Sequence, residues 1–244
     1  QQSLALQWLK KKEAPELMGR IISIGAVAQL VAFSLVLGLG WAFDWGYSGL
    51  FAIIGCFGLV ATAYCFRHFP MFEQPVAQTK KLVLRRRYWL YYALVFMGGA
   101  RRQIFVVFAA FLLVERYGFS IEAMAMLFII NGLVSMTLAP AIGRFIGTVG
   151  ERRALIVEYI GLLFVFGAYG VAAAPQLVGA DPIAGLITVW AVFGACLYVL
   201  DHAFFAMAIA QRTYFQKIAD PADMAPTAAV AFTINHIAAV TTPF

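Results

Sequence analysis

The stretch Gly143-Arg144-Phe145-Ile146-Gly147-Thr148-Val149-Gly150-Glu151-Arg152-Arg153-Ala154-Leu155 lies between two long apolar runs. It carries three arginines and one glutamate in a chain that has few charges. Its glycines at 143, 147 and 150 suit a tight turn, because glycine tolerates left-handed backbone angles. The stretch therefore predicts a short basic connection between two membrane-spanning helices, held at the cytoplasmic face.

The rest of the chain agrees with that setting. Of its 244 residues 63% are hydrophobic and only 12% charged, with a mean hydropathy of +0.84. A soluble domain runs near ~25% charged, so too few polar side chains are present to cover a soluble surface, and the fold class is an all-α membrane bundle. The net charge of +6 does not point to nucleic acid, because the charges fall in gaps between apolar runs. Cys56, Cys65 and Cys196 lie inside apolar runs without paired spacing, which reads as packing and not as a disulfide frame or a metal site. No cofactor is implied. No signal-peptide pattern opens the chain. It begins at Gln1 and stops at Phe244 within an apolar run, as expected of a piece of a longer polytopic protein whose remaining N-terminal helices would be partners of this part.

Seven spans follow from a need for about 20 apolar residues each. They run over residues 20–43, 47–66, 88–114, 121–142, 154–174, 183–210 and from 225 onward. Residues 1–20 read as a basic, solvated connection. Gly25, Ser34, Gly38 and Gly40 are small residues that suit close helix approach in the first span. Asp44 and Trp45 predict a turn with interfacial anchoring. Residues 67–87, with Arg67, Pro70, Pro75, Lys80, Lys81, Arg85, Arg86 and Arg87, form the longest polar segment, facing anionic lipid head groups. Pro175–Pro182 predicts a loop. With connections alternating sides, one side collects the lysines at 10–12, Arg20, the 67–87 cluster, Arg144, Arg152, Arg153, Arg212 and Lys217, and the other only Arg116. The positive-inside rule places the rich side, and the start of the chain, in the cytoplasm of a plasma or bacterial inner membrane.

The opening stretch resembles the glycine-and-basic loop of the major facilitator superfamily, roughly G-x-x-x-D-R-x-G-R-[KR]. Gly143, Gly150, Arg152 and Arg153 fit; Gly147 stands in the Asp position, Thr148 in the basic one after it, and Glu151 in a later basic one. Without the resemblance it remains a basic inner loop between any two helices. With it, the resemblance implies that this loop joins helices eight and nine of twelve. Residues 1–66 are then the end of the N-terminal six-helix half, 67–87 the inter-half loop, and 88–244 most of the C-terminal half, a fragment from helix five to helix eleven.

Chemistry is expected where charge enters the spans. Arg101 and Arg102 lie near the middle of a run of about 27 residues, and each costs on the order of 2.5–3.5 kcal/mol on insertion scales. Three readings stand: a shorter span with the arginines at its edge, a structural pair tied to carboxylates or carbonyls, and a solute-binding or coupling role. Asp201 and His202 sit at matching depth, and Tyr198, one turn earlier and able to share their face, is read as a solute contact. A carboxylate beside an arginine stays ionised and one moved away in low dielectric tends to take a proton, so this pair suits proton coupling. A structural Asp201–arginine pair is the alternative. Asn131 and His236 are mid-span polar residues read as solute contacts, with helix–helix hydrogen bonds explaining Asn131, Asn235 and His236 equally well. Glu158 is expected to pair with Arg152 or Arg153 as a cytoplasmic clasp. No H-E-x-x-H pair, second intramembrane aspartate, retinal-type lysine or repeated filter loop is present, which disfavours an enzyme, a receptor or a channel. The expectation is a secondary transporter for a polar or anionic solute, with the proton and membrane lipid as its other partners; the alternatives are a polyspecific exporter of the same fold and a non-transport polytopic protein.

Overall fold

The computed structural model describes residues 2–42, 46–69, 76–174 and 184–241. The Asp44–Trp45 turn, the Pro70–Pro75 part of the basic segment and the Pro175–Pro182 loop lie outside these residues. Nine helices occur among the described residues: α1 (Gln2–Trp8), α2 (Ala14–Ala42), α3 (Gly46–His68), α4 (Trp89–Gln103), α5 (Ile121–Val149), α6 (Glu151–Ala173), α7 (Ala184–Phe204), α8 (Ala208–Ile218) and α9 (Met224–Thr241). Two π-helical segments, Ile104–Ala109 and Leu112–Arg116, prolong α4, and a 3-10 turn at Phe205–Met207 joins α7 to α8. Among the described residues seven stretches are long and apolar enough to cross a membrane. Their apolar side chains face outward in large number, as a lipid-solvated bundle requires.

Local sequence explains the boundaries. Pro15 sits in the first turn of α2, where its missing N–H costs nothing, and exposed Glu16 pairs with Arg20 at 2.8 Å. Ser120 caps α5, its hydroxyl accepting from the Ala123 amide at 3.2 Å. Gly150 adopts φ +84°, the left-handed angle that ends α5 and starts α6.

The structure corrects several expectations here. Gly143 and Gly147 are helical, not part of a turn; α5 runs to Val149 and only Gly150 makes the break. Gly143 instead lets α5 touch α2, since an added Cβ would collide with the Pro15 carbonyl oxygen. Gly19 does the same from the other side, against the Ala139 carbonyl, and the Ser23 hydroxyl donates to the Met136 carbonyl at 2.6 Å. The α2–α5 seam is thus built on small residues. Gly25 and Gly38, expected to serve close approach, face open space. Residues 1–20 are not a solvated connection either. Leu6, Ala14 and Met18 are buried with Ile146, Ala154, Met207 and Ile209. The Gln216 amide ties α8 to the Leu6 and Leu9 carbonyls at 2.6 and 2.8 Å.

A second close pair is α4 with α9. A Cβ at Gly99 would strike the Asn235 backbone, and the Asn235 side-chain amide donates to the Val95 carbonyl at 3.2 Å. At the basic end, residues 76–88 are clasped to the α8–α9 turn. Arg85 reaches Asp223 at 3.0 Å, Arg87 reaches Asp220 at 2.9 Å, and the Tyr88 hydroxyl accepts from the Asp220 amide at 3.1 Å.

Gly143→Ala should lower the stability of the detergent-solubilised protein by about 1–3 kcal/mol, because backbone on the facing helix cannot yield. Gly147→Ala, with nothing near its Cβ, should unfold like wild type. Thermal unfolding of the two variants checks this; equal behaviour removes the contact as the reason for Gly143.

Candidate functional site

The sixth span is longer than its apolar run suggests. The structure continues through the 3-10 turn into α8 and ends at Ile218. Asp201 is therefore deep in the bundle, as is Arg101 in a third span running from Arg86 to Arg116. The two meet. The Arg101 guanidinium donates to Asp201 Oδ1 from Nε at 3.3 Å and from Nη2 at 3.0 Å. Nη2 also donates to the Asp201 backbone carbonyl at 2.7 Å. Its remaining edge reaches a second carboxylate, with Nη1 3.1 Å from Glu158 Oε1. Arg101 is 8% exposed, Glu158 7% and Asp201 0%, so one buried cation joins two buried anions from three helices.

This corrects the expected partner of Glu158. It lies two turns into α6, its carboxylate turned into the bundle, and it binds Arg101; the exposed Arg152 and Arg153 are not its partners. The acidic group that does act near the α5–α6 turn is Glu151, which pairs with Lys217 of α8 at 2.7 Å. The spacing of Glu158 from Arg152 and Arg153 suggested a local pair, but a buried carboxylate seeks whatever cation shares its depth.

The ring of Phe205 lies under the Arg101 guanidinium at 4.4 Å, a cation–π contact that fits a desolvated arginine. His202 packs between Phe105 and Phe205 at 5.7 and 5.5 Å. Its Nδ1 and Asp201 Oδ2 are buried without a hydrogen-bond partner among the described residues. The π-helical turns begin three residues after Arg101; such turns widen a helix and re-aim the side chains beyond them.

A cavity of about 800 Å³ opens beside this cluster. Arg101, Arg102, Glu158, His202 and His236 all border it. Arg101 and Glu158 also border a second cavity of about 250 Å³, so their ion pair adjoins both spaces. Arg102 is exposed, about 100° around the helix from Arg101. The His236 Nδ1 lies 2.8 Å from the Phe232 carbonyl one turn back.

Two expected solute contacts are placed elsewhere. Tyr198 is 1% exposed and stacks on Phe105 at 4.5 Å, behind the cavity wall. Asn131 is 1% exposed within α5, its side-chain amide unpartnered among the described residues, and it does not border the cavity. Both were assigned by depth, which does not say which way a side chain points. Conversely, Arg212 was read as a loop residue because the apolar run ends near 210; α8 carries it into the cavity wall. Among the described residues no group of three or more metal-type ligands comes together.

Seven membrane-capable helices among the described residues, six of them bordering a cavity lined by both charged and aromatic side chains, make an integral, multi-pass membrane protein. The sequence profile of the Major Facilitator Superfamily matches residues 1–243, and the chain belongs to that superfamily, whose members are transporters of small-molecule solutes. No curated protein and no solved structure matches the chain.

Arg101→Gln leaves two buried carboxylates without a cation, which should cost about 3–5 kcal/mol. The triple change Arg101→Gln/Asp201→Asn/Glu158→Gln removes all three charges and should recover most of that loss in thermal unfolding. Equal stability of the single and triple variants would show that the cluster does not act as a charge-balanced unit.

Proposed function

We propose that the chain moves a small polar or anionic solute across the membrane by alternating access, with proton binding coupled to the movement. The observation that carries this reading is the sharing of one guanidinium by two carboxylates in the wall of a cavity. With both carboxylates ionised the cluster holds one excess negative charge in a low-dielectric setting. A solute anion attracted by Arg102 competes for Arg101. The carboxylate that loses its partner then takes a proton, since an unpaired buried charge is costly. Asp201 is the coupling group in this scheme and His202 its neighbour in proton transfer, with His236 on the solute's side of the cavity.

On the same reading residues 1–66 end one six-helix half, residues 67–87 link the halves, and residues 88–244 form most of the other. The halves rock about the central cavity. Gly150, Arg152 and Arg153 shape the cytoplasmic hinge between α5 and α6, Gly143 seats α5 on α2 beside it, and the start of the chain lies in the cytoplasm. Tyr91, Phe205, Phe215 and Phe232 also border the cavity, which favours, as a second reading, export of varied apolar compounds.

The test is transport in proteoliposomes under an imposed pH gradient, with anionic, neutral and cationic solutes compared. Asp201→Asn should abolish proton-driven accumulation while solute exchange continues, and Arg101→Gln should abolish both. Undiminished proton-driven accumulation by Asp201→Asn would make Asp201 purely structural.

A further inference from the structure

The cavity has a second pole away from the Arg101 cluster. Arg212 lies in α8, six residues before its end, about 9 Å along the helix from the basic end of the bundle. It borders the cavity, and its Nη1 is sealed from solvent with no hydrogen-bond partner among the described residues. No ion pair to a carboxylate holds it among the described residues: Glu151 is engaged with Lys217, Asp220 with Arg87, Asp223 with Arg85, and Glu158 and Asp201 with Arg101. Arg212 is half-buried, and a guanidinium with one nitrogen sealed from water and no counter-ion is costly, so an anion that reaches it is favoured.

Two further observations define that anion. Three guanidiniums, Arg101, Arg102 and Arg212, border the cavity and stand against the carboxylates of Glu158 in its wall and of Asp201 behind Arg101. One added negative charge balances them. Beside Arg212, Phe215 follows on the same helix and stacks on Tyr91 at 4.2 Å with their planes 17° apart. Both residues border the cavity and form an aromatic part of its wall.

We propose that Arg212 is the docking point for the carboxylate of an organic monoanion whose ring-bearing, apolar body lies against the Tyr91–Phe215 pair. This rests on the reading of the cavity as a solute site and names the solute's class. The planar guanidinium matches a carboxylate through two parallel charge-assisted hydrogen bonds. The aromatic pair accounts for the apolar lining without requiring an uncharged cargo, and Arg101 remains free for its two carboxylates until the anion moves deeper.

Binding to the purified full chain in nanodiscs tests this, with benzoate, its neutral isostere benzamide, and acetate as probes. Benzoate should bind at least about tenfold tighter than benzamide, as a charge-assisted contact predicts. Arg212→Gln should remove that preference and raise the unfolding temperature of the unliganded protein, because it deletes an unpaired, half-buried cation. Arg212→Lys should keep part of the preference, which guards against a folding defect in the first variant. Tyr91→Leu should shrink the advantage of benzoate over acetate by about two- to tenfold. Equal binding of benzoate and benzamide by wild type, or a preference that survives Arg212→Gln, overturns the proposal. Binding is read without a gradient. Arg212-dependent benzoate binding without proton-driven flux contradicts the transport reading alone, and proton-driven flux without a benzoate preference contradicts the Arg212 assignment alone.

Discussion

The arrangement depends on one guanidinium. Arg101 holds α4 against α7 through Asp201 and against α6 through Glu158, all inside a bundle whose outer surface is apolar. A membrane supplies little hydrophobic drive for one helix to choose another, so polar contacts and close packing must select the partners. Here the packing is done by glycines, at α2–α5 and α4–α9, and the selection by charge. None of the three charged residues is tolerable alone in that setting. Each makes the other two affordable, and together they fix the depth and rotation of three helices around one cavity.

Much of the fold was legible in the sequence because the constraint that writes it is simple. Apolar runs must span the bilayer, charges must fall between them, and arginines inside them need partners. Those rules located all seven spans and singled out Arg101 and Asp201 by depth. They failed where the apolar signal and the helix part company. The run ends near residue 210, yet α8 continues to Ile218 because it is sheltered by α1, α6 and the loop clasp, so its polar face can carry Gln211, Arg212 and Gln216 inward. Composition alone suggests a turn at Gly143. Its helical role depends on the backbone of α2 lying opposite, which no local pattern records.

The site shows the same division. Depth along a helix is readable from residue counts, and it matched Arg101 to Asp201. Azimuth is not, because it depends on how each helix is rotated against neighbours distant in sequence. Tyr198 and Asn131 therefore fell behind the wall, Glu158 turned inward to Arg101, and Arg212 appeared where a loop had been expected. The π-helical turns after Arg101 sharpen the point: they shift azimuth within one span, and the sequence there, Ile104 to Ala109, carries no glycine or proline to announce them.

The most direct measurement of the central claim is infrared difference spectroscopy of the purified protein at neutral pH, reading the carbonyl stretch of protonated carboxylic acids. If Arg101 is what keeps its two carboxylates ionised, Arg101→Gln gains such a band relative to wild type, and adding Asp201→Asn or Glu158→Gln diminishes or removes it. A spectrum for Arg101→Gln that matches wild type in this region would mean that the carboxylates do not depend on the guanidinium for their charge, and the proposed coupling would have no physical basis.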